Sequence, residues 1–188
     1  MSLIKGNPVT KGASGMLGNT VVFRTSRGQL QMINKPGKRA SLSDKQKVTV
    51  SRFQNAIKYA KKVKTLPDVM KEYETGINPK KNSAYHVALV DYLNSPTVDY
   101  VKAQQYTGGA GDIVTIKARD DFKVVRVKVE IINRTGKVLE HGDAERFIRK
   151  PFIWKYKVSV ANPDIKGTVI KVTAFDRPGN KGAGELVL

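Results

Sequence analysis

The nine residues Val124-Val125-Arg126-Val127-Lys128-Val129-Glu130-Ile131-Ile132 (VVRVKVEII) decide the fold class. Apolar and charged side chains alternate through most of them, and a period of two marks a strand with one buried face. The alternation predicts Val125, Val127, Val129 and Ile131 on that face. Asn133-Arg134-Thr135-Gly136-Lys137 then reads as a turn, because Asn and Gly tolerate the left-handed backbone of a tight hairpin. Val138–Glu140 is expected to pair back. Upstream lie two further candidates, Tyr100–Tyr106 and Ile113–Ala118, with Gly108-Gly109-Ala110-Gly111 between them as a turn or hinge. Downstream, Phe152–Val160 carries Trp154, Tyr156 and Val158 on one face, and Gly167–Phe175 and Glu185–Leu188 complete the set. Short alternating strands separated by turns imply an antiparallel sandwich.

Before these strands the period changes to that of helices. Ser43-Asp44-Lys45-Gln46 is a capping-box pattern that starts a helix running to about Lys64. Val50, Phe53, Ala56, Ile57, Ala60 and Val63 form its apolar face, with Phe53 expected in the core. Pro67 suits the first turn of a second helix, Asp68 favours the positive end of its dipole, and Gly76 stops it. A third helix runs from about Ser83 to Leu93. It buries some combination of Ala84, Val87, Leu89, Val90 and Leu93 before Asn94-Ser95-Pro96 ends it.

Further upstream, Gly6, Gly12, Gly15, Gly18 and Pro8 give residues 1–18 the composition of a loop or extended arm. Thr20–Arg24 and Gln29–Ile33 flank Thr25–Gly28 as a β-hairpin whose Arg27-Gly28 tip permits positive φ. Leu30 and Met32 alternate with Gln29, Gln31 and Ile33. Residues 1–64 hold 14 Lys/Arg against Asp44 alone, about +13 of the chain's +18. Charge placed at one end favours a polyanion or an acidic partner there. The candidate contacts are Lys5, Lys11, Arg24, Arg27, Lys35, Lys38 and Arg39 on the arm and hairpin, and Lys47, Arg52, Lys58, Lys61 and Lys62 on the helix. A solvated basic back to a core-facing helix is the plainer reading of the last five.

The 188 residues allow one large or two small domains, and their 40% apolar content supports a packed core. With no cysteine there is neither a disulfide framework nor a thiolate metal site. MSLIKGNPV lacks the apolar core of a signal peptide, so cytoplasmic synthesis without insertion in a membrane is expected. Gly12–Gly18 is not a phosphate-binding loop, since it lacks Gly-Lys-Ser/Thr and leads into a strand. His86 and His141 lack zinc-site spacing and supply no catalytic triad. Asp120, Asp121, Asp143 and Asp176 carry hard oxygens that could meet at a sandwich pole and hold calcium. The plainer reading makes them turn residues that cap strands. No catalytic residue, metal, cofactor or small-molecule substrate is assigned, and the chain is expected not to be an enzyme.

Two resemblances sharpen these readings. Val114-Thr115-Ile116-Lys117-Ala118-Arg119-Asp120-Asp121, then VVRVKVEII, then Val172-Thr173-Ala174-Phe175-Asp176-Arg177-Pro178-Gly179-Asn180 and Glu185-Leu186-Val187-Leu188 make residues 108–188 resemble a bacterial immunoglobulin-like domain. The Asp176–Asn180 segment is similar to the closing hairpin of such domains. Across the whole chain, Gly15-Met16-Leu17-Gly18-Asn19-Thr20-Val21-Val22, Gly28, Pro36, Ser43, Gln46, Arg52-Phe53, Asn82-Ser83-Ala84 and Val98-Asp99-Tyr100-Val101-Lys102 resemble an uncharacterised Bacteroidota family of proteins of roughly 200 residues, a length common for single domains. Met16 stands where that family usually has lysine.

The expectation is therefore an α+β protein. An N-terminal extended arm and β-hairpin, with two to three helices, occupy residues 1–107, and a C-terminal antiparallel immunoglobulin-like β-sandwich occupies 108–188. Such a sandwich on a basic, cysteine-free chain without a secretion signal resembles the accessory domains of phage virion proteins. The functional expectation is a non-enzymatic structural or accessory component of a large assembly, a capsid, neck or tail accessory protein that joins a virion or other large particle through protein subunits. The alternative is an accessory protein that binds nucleic acid without sequence preference. Aromatics near the basic residues are sparse (Phe23, Phe53 and Tyr59), which argues against base stacking.

Overall fold

The computed structural model describes residues 2–3, 8–26, 28–37 and 41–188. The fold is α+β, and the described residues form three α-helices and three antiparallel four-stranded sheets. Two compact units divide the chain, Met1–Val48 and Thr49–Leu188.

The first unit is built on a sheet of β1 (Ser2–Leu3), β2 (Gly15–Leu17), β3 (Val21–Ser26) and β4 (Gln29–Asn34), in the order β1-β4-β3-β2. β3 and β4 form the expected hairpin, Ser26 pairing with Gln29, and Gly28 takes φ +74° at its tip. The alternation in β4 does not make an apolar face. Gln31 is the buried residue, while Met32 is exposed. Gln31 lies opposite Arg24, whose Nε donates to its Oε1 at 3.3 Å, so a polar cross-strand pair occupies the shielded position.

Helix α1 (Asp44–Val63) starts with the predicted capping box. Ser43 N donates to Gln46 Oε1 at 3.0 Å, and Gln46 N to Ser43 Oγ at 3.4 Å. α2 (Pro67–Glu74) has its proline in the first turn, and α3 (Ala84–Leu93) is capped by Ser83 Oγ, which accepts from His86 N at 3.2 Å. The helical core contains Ala60, Val63, Tyr73, Ala84, Val87 and Ala88. Phe53 does not join it and is 47% exposed, as Val50 is at 41%. Length explains this correction. The 20 residues of α1 extend about 30 Å, while the 10 of α3 cover about 15 Å. The apolar face of α1 is buried only from Ala56 onward.

The sandwich faces two sheets. One has the order β5-β6-β10-β9, from β5 (Thr97–Gln105), β6 (Ile113–Arg119), β9 (Glu145–Arg146) and β10 (Ile153–Lys157). The other has the order β12-β11-β7-β8, from β7 (Val124–Ile132), β8 (Val138–Asp143), β11 (Val169–Asp176) and β12 (Lys181–Val187). Val114, Ile116, Trp154, Tyr156 and Val158 from the first meet Val127, Val129, Ile131, Ile170 and Val172 from the second in one core. Trp154, Tyr156 and Val158 point inward as their alternation predicts.

Val125 is a second correction, at 43% exposed. Phe175 pairs with Arg126 and Asp176 with Val124, so a bulge leaves Val125 without a cross-strand partner. One extra residue flips the pleat, placing Val124 and Val127 inside and Val125 outside. β5 is part of the sandwich: Thr97 pairs with Arg119 and Val101 with Ile116. It also runs close to β12, where a Cβ on Gly182 would lie 1.8 Å from Pro96 O. Only glycine fits that approach.

Candidate functional site

Lys5, Arg27, Lys38 and Arg39 lie outside the described residues. Lys11 is exposed in the turn after a short 3₁₀ segment (Pro8–Thr10). Arg24 is engaged with Gln31, and Lys35 donates to Asn19 Oδ1. Lys47 pairs with Asp44 at 2.9 Å one turn away. Arg52 donates to the carbonyl of Leu93 at 2.7 Å, so its guanidinium caps the C-terminal end of α3. Lys58, Lys61 and Lys62 are exposed near the end of α1.

A second constellation lies where α2 and α3 meet the sandwich pole. Glu72 on α2 accepts from Lys123 at 2.7 Å and from Arg177, and Lys81 pairs with Asp121. Phe122 stacks on Tyr73 with ring centroids 4.7 Å apart. The Asp176–Asn180 segment makes the predicted β11–β12 turn. Asp176 Oδ1 accepts from Gly179 N at 2.8 Å and Asn180 N at 2.6 Å, and Gly179 takes φ +96°. The Asn180 amide then donates to the carbonyls of Asp91, Tyr92 and Asn94 at 3.2–3.3 Å. One hairpin turn therefore also closes the end of α3.

Inside this junction, Asp91 of α3, Asp120 after β6 and Asp176 at the end of β11 each bring one carboxylate oxygen within 4.8 Å of the others. Asp91 is fully buried and Asp176 is 2% exposed. Tyr73 donates its hydroxyl to Asp91 Oδ2 at 2.5 Å and stands 2.9 Å from the Tyr59 hydroxyl. Asp91 Oδ1 and Asp120 Oδ1 are buried without a hydrogen-bond partner. Burial pushes the Asp91 carboxyl up to about 8, with the neighbouring Asp120 and Asp176 acting in the same direction and the Tyr73 hydroxyl opposing it. Asp176 is raised first by burial, against the hydrogen bonds it accepts from the turn. These three carboxylates are the described groups best suited to a hard cation.

Of the four acids noted in the sequence, Asp120 and Asp176 belong to this cluster. Asp121 is held by Lys81, and Asp143 by Arg126 at 2.8 Å. Asp91 is the member of the cluster that the sequence reading lacks. Its signal was the lone charge in the otherwise apolar run Ala84–Leu93, since a buried helix rarely carries an unpaired acid. His86 is half-buried and His141 exposed, and neither joins the cluster.

No protein-family model matches the chain, and no curated protein matches it. Among solved structures it is similar to CopC from Methylosinus trichosporium OB3b, with 16% identity and a TM-score of 0.37 over 48% of this chain and 87% of that one. At that score the likeness carries no weight for fold or function. Among the described residues, no helix is long and apolar enough to cross a membrane.

Proposed function

We propose that the chain is a non-enzymatic structural or accessory subunit of a large assembly, specifically a phage capsid, neck or tail accessory protein. It is made in the cytoplasm and meets acidic neighbouring subunits through its N-terminal sheet and first helix. The observation that carries this reading is the low burial of that segment. Among the described residues from 8 to 48, Gln31 alone is buried. Met16, Leu17, Val48, Val50 and Phe53 are 41–69% exposed. A single-layer sheet and a half-covered helix leave apolar area in water, and contact with a neighbouring subunit would remove it. The +13 carried by residues 1–64 selects an acidic neighbour. The sandwich supplies a rigid body for such contacts. Kinship to the Bacteroidota family belongs to the same proposal.

Replacing Lys58, Lys61 and Lys62 by Glu together with Phe53→Ser tests it. Recovery of the protein with native particles should fall about tenfold or more, with the melting temperature of the free chain nearly unchanged. Unchanged recovery would exclude this surface as the contact. If binding is instead lost from DNA or RNA, with log affinity falling linearly in log salt, the nucleic-acid reading replaces this one.

A further inference from the structure

We propose that Asp91, Asp120 and Asp176 bind a hard divalent cation of the calcium class, which ties the helices to the sandwich pole. The first support is the missing counter-charge. The chain has 34 Lys/Arg and 16 Asp/Glu, and seven of these acids hold a Lys or Arg. The acids around this junction do so: Glu72 takes Lys123 and Arg177, Asp121 takes Lys81, Asp99 takes Arg119 and Lys117, and Asp143 takes Arg126. Among the described residues, Asp91, Asp120 and Asp176 form no ion pair. Three adjacent carboxylates without a positive charge are expensive to bury.

The second support is the set of open lone pairs. Asp91 is 0% exposed, and its Oδ2 is taken by Tyr73, which leaves Oδ1 as a buried acceptor without a donor. Asp120 Oδ1 is left in the same state, while Asp120 Oδ2 accepts from Lys123 N at 3.3 Å. A bound cation would satisfy both oxygens. The polar groups around them supply orientation and no charge: the Tyr73 hydroxyl holds Asp91, and the backbone and amide of Asn180 hold Asp176.

Donor type selects the class of ion. Three carboxylates are hard oxygen ligands, and no described histidine joins them. Calcium, with ligand oxygens at about 2.3–2.6 Å, spans up to roughly 5 Å across the ion, and the three oxygens lie inside that span. Asp120 also lines an open groove with Arg52, Leu93, Thr97, Arg119 and Phe152.

The test uses the full chain freed of metal with a chelator. Calcium at up to about 10 mM, well above the roughly 10⁻³ M of weak oxygen sites, should raise the melting temperature by about 5 °C or more. Terbium should emit when tyrosine is excited, because Tyr73 touches a ligand, and calcium should displace it. Asp120→Asn should abolish both responses. If that variant does not fold, Asp91→Asn takes its place, since it keeps an acceptor for Tyr73. No calcium shift together with no sensitised terbium emission would overturn the proposal and leave a shared proton as the resolution. A calcium shift of equal size in Asp120→Asn, or a response to magnesium alone, would overturn it as well.

Discussion

Residues 8–37 and residues 97–187 are both largely β-structure, yet they come to opposite ends. The sandwich has two layers, and its strands bury every second side chain against a facing sheet. The N-terminal sheet has one layer, and its described apolar residues stay half-exposed or exposed. Strand propensity builds a sheet in either case, but stability of a sheet comes from a second layer. The difference separates a two-layer core from a sheet whose described apolar residues keep contact with water.

The largest test of that division removes a strand from the stable side. A chain beginning at Gly108 lacks β5, which covers β6 and runs beside β12. It should lose its cooperative transition in denaturant, or unfold at a much lower midpoint. A midpoint equal to that of the whole chain would show that β5 contributes nothing to the sandwich.

Next in size is the core itself. Ile131 is 1% exposed between the two sheets, and Ile131→Ala should cost about 2–5 kcal/mol by urea unfolding. Phe53→Ala probes the other side. The half-exposed ring should cost less than about 1 kcal/mol in the free chain. Equal costs for the two substitutions would erase the contrast between the regions.

The smallest effect is one of pH. Asp112 accepts from Thr107 N at 2.6 Å and Gly109 N at 3.0 Å, and these bonds, the Thr107 one first, hold its carboxyl below the ordinary carboxylate range. A lowered folded-state value means that the contribution is present above the unfolded value, about 4, and is lost as pH falls through the folded one. Asp112→Asn should therefore flatten the acid limb of the stability profile below about pH 4 while changing little at pH 7. An acid limb identical to that of the natural chain would remove this turn from the account.

Much of the stable region was legible because its rules are local. Alternation placed Trp154, Tyr156 and Val158 inward, Ser43 and Gln46 announced a helix start, and Gly28 marked a turn. What escaped depends on partners far away in sequence. Val125 alternates correctly and still faces water, because the bulge opposite Phe175 and Asp176 shifts its register. Phe53 sits on the apolar face of its helix, yet that face is buried only from Ala56 onward. Gln31 is buried because of Arg24 across the hairpin. The carboxylate cluster drew on α3, the β6–β7 connection and the end of β11, and only the first of these was unmarked in the sequence. A periodic helix pattern treats Asp91 as one polar position, while the fold brings two more acids to it.

The Asn180 amide that closes α3 also sets an order of events during synthesis. It reaches the carbonyl of Asp91 across 89 residues. A ribosome adding about 5–20 residues per second takes roughly 4–18 s to cover that distance. During this interval the end of α3 has Arg52 at the Leu93 carbonyl but lacks the Asn180 amide, and Asp91 waits for Asp176. The helical layer of this protein is therefore finished from its far end, when the β11–β12 turn arrives and fastens strands and helices in a single step.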